Sequence, residues 1–457
     1  MSESDLRIII LAAGKGTRMK SDLPKVLHPV CGIPMIQHVV AAANKVSRRK
    51  PLVVIGYKAE KVSAILGEEV DYVLQEKQLG TGHAVMMAAP QLQDFSGDLL
   101  VLYGDTPLIT AETLTKLVAE HQREKPSVTV LSVEVENPAG YGRIIRDERG
   151  NLERIVEEKD TSTEEKKVKE VNTGIYIFNY QDLAEALKCI EPKNAQGEYY
   201  LTDVIALLAA RRKKTGAVLC PNSEELLGPN DRLSLAETDR IMRRRILENL
   251  MTEGVTIVDP ASTYIELQVE IGRDSIIYPG TFLQGKTKIG VGCQIGPYSQ
   301  LRDSQIGDAS IVRFSVLDQV KTGEGVNIGP YSFLRPGTVV EKKGKVGGFV
   351  ETKNTHIGEG SKVPHLSYIG DCLIGAGVNI GAGTITCNYD GYAKHQTTIG
   401  DEAFIGSNTN LVAPVSVGKG ALVGAGSTIT KDVPEYALAL ARSKQINKEK
   451  WSKRKKD

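Results

Sequence analysis

From residue 255 onward an aliphatic side chain recurs at every sixth position. Ile271, Ile277, Leu283, Ile289, Ile295 and Leu301 form one such run, and Ile399, Ile405, Leu411, Val417, Val423 and Ile429 form another. Six matches neither the 3.6-residue period of an α-helix nor the two-residue period of a strand. It is the spacing of hexapeptide β-helices, in which each coil has three short flat sides. One aliphatic per side points to the axis, and successive coils stack at strand spacing, about 4.8 Å. Glycine follows many of these positions (Gly272, Gly290, Gly296, Gly400, Gly406, Gly418, Gly424), as a corner with positive φ or tight clearance requires. Two steps are five residues long, Leu301 to Ile306 and Ile369 to Ile374. The C-terminal part is therefore expected to be a parallel β-helix, wound left-handed as hexapeptide coils are, an exception to the right-handed crossover rule.

The first 230 residues lack this rhythm. "RIIILAAG", "LVVIG", "YVLQ", "LLVLYGD" and "VTVLSVEV" are short apolar runs, separated by helical stretches such as "PMIQHVVAAANKV" and "AETLTKLVAEHQRE". That alternation predicts an open, mostly parallel α/β sheet of Rossmann-like type. A long linker helix is expected over 231–252, with Leu233, Ala236, Ile246 and Leu250 on its apolar side. Its cluster Arg240, Arg243, Arg244 and Arg245 reads as a nucleic-acid patch or, more simply, as a solvated, ion-paired face. The expected organisation is thus 1–230, 231–252 and 253–457. Beyond Pro434 the hexad is lost, and the tail reads as a cap, an arm or a frayed end.

A formal net charge of +1 gives no global field for nucleic acid or an anionic membrane. The early apolar run from Ile8 to Ala13 is too short for a signal-peptide core, and no apolar stretch approaches membrane-spanning length. The six cysteines form no Cys-x-x-Cys pair, which suits reduced thiols and a cytoplasmic location.

Two stretches carry chemistry. In "LAAGKGTRMKSDLPKVL", Gly14 and Gly16 allow close backbone approach to an anion, a following helix can point N–H groups at it, and Arg18 and Lys25 add positive charge. The string lacks the third glycine of a dinucleotide fingerprint, and it is not a P-loop. Asp105 ends the apolar strand "LLVLYGD", where α/β sheets place ligand-binding carboxylates, and is a candidate Mg²⁺ ligand. The second stretch is "GAGTITCNYDGYAKHQTTIG", where the hexad stops between Cys387 and Thr397. An excursion can leave one side of a β-helix without disturbing the axis, and polar loops on rigid scaffolds often carry binding sites. Upstream, Arg335 and Lys353 are eighteen residues apart, one full coil, so that two cations stack in a manner suited to a sugar phosphate. His365, Tyr368 and Asn379 follow on neighbouring coils.

"LAAGKGTRMKSDLPK" resembles the signature of sugar-phosphate nucleotidyltransferases, and "QLGTGHA" and "YGDTPL" resemble its uridylyl-transferring branch. With the hexapeptide half, nearly the whole chain is similar to the bifunctional N-acetylglucosamine-1-phosphate uridyltransferase/glucosamine-1-phosphate acetyltransferase family. The resemblance implies an enzyme of two activities that makes UDP-N-acetylglucosamine for the cell envelope, using UTP, acetyl-CoA and Mg²⁺. It implies nucleotide contacts from Leu11, Ala12, Ala13, Gly14, Gln75, Gly80 and Thr81, with Arg18 and Lys25 on phosphates. Sugar contacts would come from Tyr103, Gly142, Glu157 and Asn172, carried by "GYGRI", "IVEEKD" and "VNTGIY". Asn230 would join Asp105 on the metal and complete the uridylyl site. In the other half, Arg335, Lys353, Tyr368 and Asn379 would hold glucosamine-1-phosphate, and His365 would be the general base; an imidazole suits that task near neutral pH. Ala382, Ser407, Ala425 and Arg442 would line the acetyl-CoA site, with Asn388 and Tyr389 touching substrate or cofactor. The family's β-helices associate as trimers, so a homotrimer is implied, with small-molecule substrates and no nucleic acid or membrane partner.

Three other readings compete. The β-helix could serve assembly or regulation only. His356, His365 and His395 could hold zinc, although their spacings are not whole coils. Cys387 could accept the acyl group covalently; direct transfer is the simpler course.

Overall fold

The computed structural model describes residues 6–455. The chain separates into two compact units, residues 1–242 and 243–457.

The first unit is built on a nine-stranded sheet. Its parallel strands are β1 (Leu6–Ala12), β4 (Leu52–Ile55), β5 (Asp71–Leu74), β6 (Asp98–Tyr103), β7 (Val128–Glu134) and β11 (Thr215–Leu219). The order is β11-β7-β10-β6-β1-β4-β5, where β10 (Glu170–Asn179) runs antiparallel to both neighbours. A hairpin of β8 (Arg143–Arg146) and β9 (Leu152–Val156) extends from β10. A separate two-residue pair, β2 (Pro29–Val30) and β3 (Ile33–Pro34), leads into α1 (Met35–Asn44).

The apolar runs are continuous because both faces of the sheet are covered. Ile8 and Ile10 of β1 point into one core with α1 and α4 (Ala111–Glu124), whereas Ile9 and Leu11 point into a second core with α3 (Thr81–Ala88), α5 (Tyr180–Leu187) and α6 (Asp203–Ala210). Helix α4 shows how the local sequence sets an element. Thr110 caps it by accepting from the Thr113 N–H, and Leu114, Leu117 and His121 bury one stripe. The helix stops where Lys125 turns left-handed.

Helix α7 (Arg232–Thr252) runs from the first unit into the second. Its expected apolar stripe is corrected in the N-terminal half. Leu233 is 84% exposed and Ala236 is exposed, while Thr238, Ile241, Met242, Ile246, Leu247 and Leu250 are buried. At about 100° per residue, Leu233 lies on nearly the opposite side of the helix from Ile246. Of the clustered arginines, Arg240 pairs with Glu237, Arg244 with Glu248, and Arg243 stacks over the Tyr264 ring at 4.4 Å.

The second unit is the β-helix. Its first side stacks Ile257, Ile277, Ile295, Val312, Ile328, Val346, Val363, Ile380, Ile405 and Val423 in parallel register. The second side stacks Ile265, Leu283, Leu301, Leu317, Leu334, Thr352, Ile369, Thr386, Leu411 and Ile429. The third carries Ile289, Ile306, Val340, Ile357, Ile374, Ile399 and Val417. Both five-residue steps read from the sequence keep their aliphatics inside, and the registers add three more, Val312 to Leu317, Leu317 to Thr322 and Thr352 to Ile357.

Space, rather than φ, explains most of the recurring glycines. A Cβ on Gly290 would stand 2.3 Å from Asp308 Oδ1 and 2.7 Å from its backbone N in the next coil, and only Gly296 of the predicted set has positive φ. The chain also keeps coiling past Pro434: Leu438–Ala439 pairs with Leu422–Val423 and adds a strand to the first side, against the expected loss of the repeat. A 3₁₀ turn follows at Trp451–Lys455.

Candidate active sites

Strand β1 ends at Ala12, and the chain opens into the Ala13–Gly16 loop. Gly16 has φ +60, and a Cβ there would meet Lys25 Cβ at 2.5 Å, so glycine lets the Lys25 stem pack against the loop. A Cβ on Gly14 would have nothing within 4 Å, which leaves that stretch of backbone open to a ligand. The expected helix after the loop is one 3₁₀ turn, Thr17–Met19, anchored by buried Met19. Gly16 and Lys20, both in a left-handed conformation, bound the turn on either side and leave no room for a longer α-helix.

These residues line a cavity of about 730 Å³ with Leu11, Ala12, Ala13, Gly14, Arg18, Lys25, Gln75, Gly80, Thr81, Tyr103, Asp105 and Asn230. The charged groups converge. Arg18 Nη2 donates to Asn230 Oδ1 at 2.9 Å, Lys25 Nζ donates to the same oxygen at 2.7 Å, and Lys25 is also paired with Asp105. A carboxylate and an amide oxygen thus face one point from two loops. Both are hard oxygen donors, a set that fits Mg²⁺ completed by water and phosphate oxygens.

Gly142, Glu157 and Asn172 do not line that cavity; they cluster beside it. A Cβ on Gly142 would lie 3.5 Å from Glu157 Oε2 and 3.6 Å from Asn172 Cβ. Tyr103 connects the two regions: it lines the cavity, and its ring lies against Gly174, whose φ is +82 and whose Cβ would stand 2.7 Å from the ring. Burial pushes the Tyr103 hydroxyl well up, with the Glu157 charge adding to it. Burial likewise raises the Glu157 carboxyl, against a hydrogen bond from Thr202. Lys15, Thr17, Gln78 and Glu198 also line the cavity and were missed. Glu198 gave no signal in sequence, because it arrives on a segment whose Tyr199 backbone is tied to Leu79 and Gly82 at 2.8 Å each.

In the β-helix, the register Leu334↔Thr352 puts Arg335 and Lys353 on adjacent coils at the corner that ends the second side. Arg335 pairs with Glu351 at 3.0 Å. The interrupting loop leaves and re-enters at the same corner and spans 388–396, slightly less than expected, since Cys387 and Thr397 both stay in the ladder. Asp390 braces it by accepting from the Ala393 and Tyr392 N–H groups at 2.7 and 2.8 Å and pairing with His395 at 2.7 Å; these bonds hold its carboxyl far below the usual range. Asn388 donates to Asp371 at 2.5 Å and ties the loop to the coil below. The loop brings in Lys394, also missed in the sequence. Its hydrogen bond and charge press the Lys353 ammonium below the ordinary lysine range, with Arg335 adding to the effect and Asp371 opposing it. Tyr368 stands one coil above Glu351, and its hydroxyl reaches back over Gly370.

His365 is not itself a hexad position. Val363 fills the core, and His365 lies exposed at the far end of the first side, level with Gly348. Continuing the registers Lys362↔Asn379, Phe404 and Leu422 places Ala382, Ser407 and Ala425 on successive coils above it. Arg442 Nη1 closes the column on Ala425 O at 2.9 Å. Small residues thus leave a strip of open edge beside His365. Asn379 faces outward on the first side, away from Arg335 and Lys353. His356 pairs with Glu341, and His395 with Asp390, so two of the three histidines engage separate carboxylates. Cys387 is partly buried, which raises its thiol above the ordinary range. Among the described residues, no helix is long and apolar enough to cross a membrane.

Residues 7–223 match the nucleotidyl transferase family, and residues 396–431 match the hexapeptide repeat of succinyl-transferase. The chain is 53% identical to "Bifunctional protein GlmU" of Geobacillus sp. (strain WCH70), across 97% of this chain and 96% of that one. A protein of the same name from Caldanaerobacter subterraneus subsp. tengcongensis is 54% identical, over 98% and 97% of the two chains. That from Carboxydothermus hydrogenoformans is 53% identical, over 97% and 99%. With a nucleotidyltransferase fold and a hexapeptide β-helix matched from end to end, the chain belongs to the bifunctional GlmU family of transferases.

Proposed function

We propose that residues 1–230 transfer UMP from UTP to N-acetylglucosamine-1-phosphate, that residues 231–252 link the halves, and that residues 253–457 acetylate glucosamine-1-phosphate with acetyl-CoA. The output is UDP-N-acetylglucosamine and pyrophosphate, a cell-envelope precursor and its by-product. The observation that carries this reading is the separation of two sets of groups: cations, a carboxylate and an amide around one cavity of the sheet, and, on the β-helix, stacked cations at one corner and a histidine edge at another.

In the first site the sugar-phosphate oxygen attacks the α-phosphorus in line and pyrophosphate leaves, so the protein's task is alignment and charge neutralisation. Leu11, Ala12, Ala13, Gly14, Gln75, Gly80 and Thr81 hold the nucleotide. Arg18 and Lys25 bind its phosphates, while Tyr103, Gly142, Glu157 and Asn172 hold the sugar. Asp105 and Asn230 would hold Mg²⁺, which when bound neutralises triphosphate charge; Lys25 then turns from Asp105 to phosphate. In the second site Arg335, Lys353, Tyr368 and Asn379 bind glucosamine-1-phosphate. His365 takes a proton as the amine attacks the thioester, and the CoA thiol leaves. Ala382, Ser407, Ala425 and Arg442 line the CoA strip, with Asn388 and Tyr389 of the loop beside it. Because Asn379 faces away from Arg335 and Lys353 in one chain, a site using all of them draws on neighbours, which supports a homotrimer. Six free cysteines support a cytoplasmic location.

A double dissociation tests the assignment. Arg18→Ala is expected to abolish uridylyl transfer and leave acetyl transfer nearly intact, and His365→Ala to do the reverse. Loss of both activities in either variant would contradict two independent sites.

A further inference from the structure

The corner that carries Lys353 is held by an acidic residue to which the proposed reaction gives no part. Lys353 is level with Gly370 one coil above, and Asn354 and Asp371 follow them, each at a left-handed turn with φ +45 and +47. Asp371 is half-buried, and both of its carboxylate oxygens are engaged. Oδ1 accepts from Asn354 Nδ2 of the coil below at 2.7 Å. Oδ2 accepts from Asn388 Nδ2, on the first residue of the interrupting loop, at 2.5 Å, and Asn388 is only 6% exposed. Gly370 clears the space for this contact: a Cβ there would stand 2.7 Å from Asn388 Nδ2 and 2.6 Å from the Tyr368 hydroxyl.

The loop meets repulsion where it folds back. Its Lys394 comes within hydrogen-bonding reach of Lys353, so two ammonium groups share one place and like charge drives them apart. The charges around Lys353 are Lys394 from the loop, Arg335 from the coil below, itself paired with Glu351, and Asp371 from the coil above. Of Lys394, Arg335 and Asp371, only Asp371 favours the ammonium. Burial raises the Asp371 carboxyl, but the Asn354 and Asn388 amides, and then the Lys353 and Lys394 charges, bring it below the ordinary range, so it stays an anion. We infer that Asp371 is a positioning residue for the acetyl site: it fastens the loop through Asn388 and, as counter-ion, keeps Lys353 and Lys394 together as a pair that receives the phosphate of glucosamine-1-phosphate. The inference rests on the proposed acetyl-transfer reading.

The test is acetyl transfer to glucosamine-1-phosphate by the full-length protein carrying Asp371→Asn, which keeps the size and removes the charge. Asp371→Ser keeps one oxygen acceptor for Asn388 and is the second variant should two facing amides not fit. KM for glucosamine-1-phosphate is expected to rise about tenfold, the weight of a charge-assisted contact, and by more than KM for acetyl-CoA. The alkaline limb of the pH profile moves to lower pH, because Lys353 without the carboxylate loses its proton earlier; a residue that only braced the backbone would leave the limb in place. In a Lys394→Met background, where no second ammonium has to be held, Asp371→Asn adds little further rise in KM. A KM within about twofold of the parent, an unmoved limb, or a full further rise of about tenfold in the Lys394→Met background overturns the inference. A parent protein that acetylates no glucosamine-1-phosphate would instead sink the acetyl site itself.

Discussion

Glu157 sits where burial works against charge. Its folded-state carboxyl titrates above the ordinary glutamate value. The folded state therefore favours the protonated acid; that contribution is fully present below the unfolded pKa and is lost as pH rises through the raised folded one. Glu157→Gln is expected to melt at a higher temperature than the parent at about pH 8 and at the same temperature at about pH 4. Calorimetry at the two pH values checks this, and a gap that persists in acid would contradict it. The same substitution should lower uridylyl transfer. Read as a residue alone, Glu157 looks like a surface charge in "VEEKD"; only the fold sets it beside Gly142 and Asn172. The family resemblance named it, and the residue types around it did not. Asp105 differs, since a carboxylate ending an apolar strand is readable without a relative.

At the scale of elements, the hexad was legible because most flat sides of the triangular coil are filled by one core aliphatic. Two of its five-residue steps could be read, but three others, Val312 to Leu317, Leu317 to Thr322 and Thr352 to Ile357, could not, because threonine fills some of the positions. A core column is correspondingly sensitive: Ile328 is 1% exposed, and Ile328→Ala is expected to cost about 2–5 kcal/mol of β-helix stability. Denaturant midpoints followed through acetyl transfer should move, while those followed through uridylyl transfer should not. Helix α7 was mis-phased because apolar spacing alone cannot tell a covered stripe from an exposed Leu233. The loop at 388–396 was legible as an interruption, but Lys394 was not, since its place beside Lys353 depends on how the loop folds back. Lys394→Met is expected to raise KM for glucosamine-1-phosphate about tenfold, as losing a charge-assisted phosphate contact does. It should also move the alkaline limb of acetyl transfer upward, because Lys353 no longer shares its position with a second ammonium. An unchanged KM and limb would remove Lys394 from the site.

For the whole molecule, the change from alternating strands and helices to a six-residue rhythm marked two architectures from composition and period alone. The structure divides into 1–242 and 243–457, partway along α7. Asn379 lies on a different side of the prism from the stacked cations, a separation that period could not reveal, since period says which residues point outward and not which outward faces meet. In the proposed division, triphosphate chemistry belongs to the sheet and acyl chemistry to the prism. The most direct test is a paired assay of both half-reactions on the intact protein, with Mg²⁺ and with a chelator. Uridylyl transfer is expected to stop with the chelator while acetyl transfer continues at its full rate; a parallel fall of both would contradict separate sites.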